Sequence, residues 1–89
     1  DNSECDFVLQ REDKVIRLIQ VAWNIADEQT VEREIRGLLE ASSVTGCDDM
    51  LIITDDEEKT ILRDGKRIIV VPAWKWLLEK SVMNDSFSE

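Results

Sequence analysis

Glu4 and Asp6 stand two residues apart at the start of an apolar run. In a strand that spacing turns both carboxylates to one face, where they can hold a hard divalent cation such as Mg²⁺ through oxygen ligands. Charged residues leading into a strand are also common on acidic proteins, so two solvated carboxylates is the plainer reading of the pair. Gln20 and Ala22 repeat the i,i+2 spacing on the next apolar segment and are expected beside Glu4 and Asp6 across a hairpin. Other candidates offer less. Asp55-Asp56-Glu57-Glu58 lacks the alternate spacing and the glycine of a calcium loop, and reads as a solvated turn. Ser42-Ser43 has no His anywhere in the chain to serve as a base, and reads as helix-end chemistry. Trp74 and Trp76, next to Pro72, divide into a core plug and a half-exposed indole, with Trp76 the candidate for a contact surface. No GxxxxGK[ST] loop is present, so this segment is not itself an ATPase.

The elements that must position these residues follow from periodicity. Cys5–Gln10 and Val15–Ile25 are strand-like runs on either side of the polar break Arg11–Lys14, the pattern of a β-hairpin. On the second run the period of two puts Ile16, Leu18, Gln20 and Ala22 on one face and Val15, Arg17, Ile19, Val21 and Trp23 on the other. Both faces are mostly apolar, which predicts a central strand covered on both sides. Asp27 offers a helix N-cap and Glu28 a first-turn acid, while Val31, Ile35, Leu38, Leu39 and Ser42 recur at helical spacing and Gly46 closes the C-terminus. Glu32 and Arg36 are spaced as an i,i+4 ion pair. Met50–Thr54 then reads as a buried strand in a parallel βαβ unit. Asp64-Gly65 joins Glu58–Leu62 to Arg67–Val71 as a second hairpin, and Ala73–Lys80 reads as a short helix with Trp74, Leu77 and Leu78 on its packed face. The predicted order is ββαβββα: an α/β fold with a small mixed sheet, one long crossover helix and a short C-terminal helix. Residues 1–80 form one domain and residues 81–89 a polar tail.

Composition narrows the function classes. Eighty-nine residues suffice for a single domain, and 43% hydrophobic content is too high for a disordered acidic tail. The net charge of −9 repels phosphate backbones, which makes nucleic acid an unfavourable partner and a basic protein a favourable one. With no His there is no imidazole zinc site. Cys5 and Cys47 show no CxxC spacing and read as free thiols in a reducing compartment. The longest uncharged apolar stretch, Ile68–Trp74, is far short of the ~18 residues that span a bilayer, so a cytoplasmic protein without a membrane partner is expected. The chain opens on Asp1, as expected of a piece of a longer protein.

The segments ECDFVL, LIQVAWNI, EREIRGLLEA, MLIIT and DGKRIIVVPAWKWLLE, in that order and spacing, resemble the C-terminal domain of unknown function carried by a family of prokaryotic AAA-type ATPases. The resemblance runs from Glu4 to about Leu78 and implies a restriction-endonuclease-like, PD-(D/E)xK-type fold. In active nucleases of that type, two acids fix Mg²⁺ and a Lys assists the attacking water. Carried over, Asp6 matches the first acid with Glu4 as companion, Gln20 takes the place of the second acid, and Ala22 stands where the Lys belongs. Gln is a neutral, weaker ligand and Ala cannot assist a water. Lys14, at the hairpin turn, is the one conceivable migrated substitute. The resemblance thus implies a degenerate nuclease without its own catalysis, needing no cofactor itself, with ATP bound by an N-terminal part outside this sequence and the parent ATPase domain or a basic protein as partner. The alternatives are a Mg²⁺-dependent DNA endonuclease with an atypical site and a small acidic protein-binding module.

Overall fold

The computed structural model of the chain describes residues 7–23 and 28–79. β1 (Phe7–Arg11) and β2 (Lys14–Val21) form an antiparallel hairpin, α1 (Glu28–Thr45) crosses over to β3 (Met50–Thr54), and β4 (Lys59–Arg63) with β5 (Lys66–Pro72) makes a second hairpin. A short helix, α2, covers residues 73–79. The five strands form one sheet in the order β1-β2-β3-β5-β4. β2, β3 and β5 run parallel in its middle, with an antiparallel strand at either edge. The small mixed α/β architecture and its element order are those expected from the sequence.

Local chemistry explains each element. Both hairpins turn on two residues with positive φ, Glu12 and Asp13 (52° and 72°) and Asp64 and Gly65 (56° and 76°), as a two-residue turn that matches strand twist requires. α1 buries Ile35, Leu38, Ala41 and Ser42, one stripe at helical spacing. It ends where Gly46 takes φ 78° and its N–H donates to the Ser42 carbonyl at 2.8 Å. The N-cap proposed at Asp27 lies outside the described residues. β3 is buried at every position, as a strand flanked by parallel neighbours and covered by a helix should be.

Apolar side chains alternate across the sheet. Leu18, Met50, Ile52, Ile68 and Val70 face α1 and pack with its Ile35 and Leu38. Ile19, Leu51, Ile53 and Val71 face the other way and meet Leu9, Ala73 and Trp76.

Four expectations need correction. β2 is an inner strand, as expected, but its face away from α1 is only partly covered among the described residues. The period of two also fails at Ile16. Leu9 pairs with Arg17 but Gln10 pairs with Val15, so the register steps past Ile16, and Val15 joins the α1-side core that Ile16 was expected to join. Glu32 accepts two hydrogen bonds from Arg63 on β4, at 2.9 and 3.0 Å, instead of closing an i,i+4 pair with Arg36. Finally α2 packs through Ala73 and Trp76, leaving Trp74, Leu77 and Leu78 exposed.

Candidate functional site

Gln20 in β2 and Ala22 just past its end are buried, 3% and 5% exposed, with Ala22 in the core beneath α1. Gln20 lies beside Ile52 of β3, and the Ala22 N–H donates to the Ile53 carbonyl at 2.9 Å. No buried side-chain nitrogen or oxygen among the described residues lacks a hydrogen-bond partner, so Gln20 is satisfied within the fold. A neutral amide and a methyl group, both enclosed, supply neither metal charge nor a proton. Mg²⁺ of the kind the resemblance implies does not fit these two positions. Glu4 and Asp6, the acidic half of the expected site, lie outside the described residues. Among the described residues no three of His, Cys, Asp and Glu are placed to hold a metal ion.

Lys14 is ruled out as a substitute for the missing base. It opens β2, paired with Arg11, eight positions before Ala22 on an extended chain. At a rise of ~3.3 Å per residue the two Cα atoms stand about 25 Å apart, several times the reach of a lysine.

Ser42 is more than helix-end chemistry, although it is no nucleophile. Its hydroxyl donates to Asp48 Oδ1 at 2.7 Å and accepts from Lys66 Nζ at 2.9 Å, and Lys66 lies 3.4 Å from the same carboxylate oxygen. Ser42 is fully buried and its hydroxyl is used as donor and acceptor at once. The three residues pin the end of α1, the loop into β3 and the turn of the second hairpin to one another. The Ser42 hydrogen bond, aided by Lys66, holds the Asp48 carboxyl below the usual aspartate range. Asp49, next along, takes two hydrogen bonds from Arg17 at 3.1 and 3.2 Å, fastening β2 to the start of β3. Lys66 carried no local signal in the sequence, because its partners lie 18 and 24 positions away.

The acidic run Asp55–Glu58 folds as a turn built on Thr54. The Thr54 hydroxyl accepts from the Glu57 N–H at 2.9 Å and lies 3.1 Å from the Glu57 carbonyl, while Glu58 accepts a hydrogen bond from Lys75 of α2. The Asp55 N–H donates to the Trp23 carbonyl at 3.1 Å. The run is therefore a connector whose carboxylates point to solvent, as its spacing suggests.

The remaining feature is apolar. Between β1, β2 and α2, on the sheet face away from α1, lies an open groove of about 340 Å³ lined only by apolar residues, among them Leu9, Ile19, Val21, Ile53 and Trp76. Trp76, the predicted contact residue, forms one wall, half-buried against the far-side cluster. The more exposed indoles are Trp23 at the groove's rim, 60% exposed, and Trp74, 58%. Trp23 was readable only as a strand residue, since its exposure depends on where β2 ends. No helix among the described residues is long and apolar enough to cross a membrane.

Comparison with protein families, with curated proteins and with solved structures finds no match.

Proposed function

We propose that the chain is a non-catalytic accessory domain of a larger AAA-type ATP-binding protein, cytoplasmic, with a restriction-endonuclease-like fold whose metal site has decayed. The observation that supports this reading is the enclosure of Gln20 and Ala22 in the α1-side core, where an active enzyme of that type needs an open carboxylate and a lysine. The net charge of −9 agrees, since a domain that bound DNA would gain affinity from cations it lacks. ATP belongs to the parent protein in this reading, through a P-loop upstream of this segment. The domain's partner is the parent ATPase domain or a basic protein.

The decisive experiment incubates the 89-residue chain with supercoiled and linear DNA in Mg²⁺ or Mn²⁺. No nicking or cleavage is expected. Cleavage that disappears in Asp6→Ala would replace the proposal with a metal-dependent endonuclease using an atypical site. The parent assignment is tested separately on the native reading frame, which should carry GxxxxGK[ST] upstream. A frame holding only this acidic domain would leave a small protein-binding module instead.

A further inference from the structure

We propose that the apolar groove between β1, β2 and α2 is a docking site for an amphipathic helix of a protein partner, one that carries Lys or Arg along one edge. The proposal gives the accessory-domain reading a specific surface and rests on that reading only for the existence of a partner.

Three observations point to this occupant. The parallel strands β2, β3 and β5 are apolar on both faces, yet among the described residues α1 covers one face while the other meets only a short helix. Strands of that kind are ordinarily covered on both sides, so the second face has the chemistry of an interior. The groove in that face is wholly apolar, and Trp23 and Trp76 flank it as the aromatic anchors typical of the centre of an interface.

Charge then selects the partner. At the rim, Asp55 is tied to Trp23 through the backbone, and Asp56 and Glu57 follow. These three carboxylates enter no ion pair among the described residues, whereas Asp48, Asp49, Glu32 and Glu58 each have one. A helix with apolar residues in the groove and cations along the Asp55–Glu57 edge meets both demands. A second copy of the chain would bring the same acidic rim and a charge of −9 against itself. Residues 81–89 contain Asp85 and Glu89 and no Lys or Arg, the wrong sign for that edge.

The test titrates the full chain into a labelled peptide of about 18 residues with Leu on one helical face and Lys on the other, alongside a control with Glu in place of Lys. Binding is read by fluorescence anisotropy, with circular dichroism confirming that each variant is folded. The Lys peptide should bind with a Kd of order micromolar and the Glu peptide at least about tenfold more weakly. Val21→Lys, inside the groove, and Asp55→Lys with Asp56→Lys, at its rim, should each weaken binding about tenfold or more. Val44→Lys adds the same charge on an exposed position of α1 away from the groove and should change little. The inference is overturned if the Lys peptide does not bind, if Val21→Lys and Val44→Lys weaken it alike, or if the chain dimerises in a way that Val21→Lys abolishes. It is also overturned if Met83→Ser with Phe87→Ser raises affinity about tenfold, since the chain's own C-terminal residues would then be the occupant. DNA cleavage with peptide binding intact would sink the accessory-domain reading alone, and loss of peptide binding without cleavage would sink only this one.

Discussion

Asp48 sits between a hydroxyl and an ammonium, and both favour its ionised form. Its folded pKa therefore lies below the unfolded value of about 3.9, so its contribution to stability is complete above that value and is lost as pH falls through the folded one. Glu32 behaves in the same direction, chiefly through the hydrogen bonds it accepts from Arg63. We expect the urea midpoint of the native chain to drop on acidification below about pH 4, and Asp48→Asn to make that drop shallower. Parallel pH profiles for the two proteins would show that the Ser42-Asp48-Lys66 cluster contributes nothing to acid sensitivity. Residue chemistry of this kind was only half legible in the sequence. That Gln20 and Ala22 carry no charge is plain from the sequence, but their enclosure depends on α1 lying over that face of the sheet. The choice of Arg63 over Arg36 by Glu32 was hidden for a similar reason. Both cations are plausible by type, and only the packing of β4 beside the helix brings the distant one into a two-point geometry.

Among the elements, the two hairpin turns make an instructive pair. Asp64-Gly65 announces its turn, because glycine takes positive φ without a side-chain clash. Glu12-Asp13 adopts nearly the same backbone with two ordinary side chains, which costs roughly 1–2 kcal/mol per residue in the left-handed region. Replacing them together, Glu12→Asn with Asp13→Gly, should stabilise the domain by about 1 kcal/mol and raise Tm by about 4–8 °C. A melting temperature unchanged or lowered in the double variant would show that the acids are held there by contacts worth more than the strain. The failures of periodicity are equally physical. A pattern of two assumes an unbroken ladder, and the register step at Ile16 breaks it. On a helix as short as α2, Trp74-Leu77-Leu78 and Ala73-Trp76 both satisfy helical spacing. The direction in which the chain leaves β5 at Pro72 selects the second set.

At the scale of the whole molecule, six of the twenty acids bracket β3, and the two ends of that strand treat them differently. At its start Asp48 and Asp49 are each paired with a cation, on β5 and β2 respectively. Beyond its end, among the described residues, only Glu58 is. Around β3, among the described residues, the acids are thus neutralised where the strands are fastened, while Asp55, Asp56 and Glu57 past Ile53 of the groove enter no ion pair. The α/β class, the element order and the buried character of β3 were all readable from apolar runs and turn residues. The partial cover of the second face among the described residues was not, because a strand's apolar sequence does not say what lies over it.

The strand order carries one more consequence, for the way the domain opens. β1–β2 and β4–β5 are local hairpins, whereas β3 pairs with β2 across α1 and with β5 past β4. Either hairpin can fray without disturbing the other, but every amide of β3 sits in a long-range ladder, to β2 or to β5, and comes free only when that ladder separates. Hydrogen exchange at Ile52 should therefore report global unfolding and be slower than at Val8 or Leu62 on the edges, and comparable rates at all three would contradict it. A domain built this way has its least exchangeable backbone in the one strand that belongs to neither hairpin.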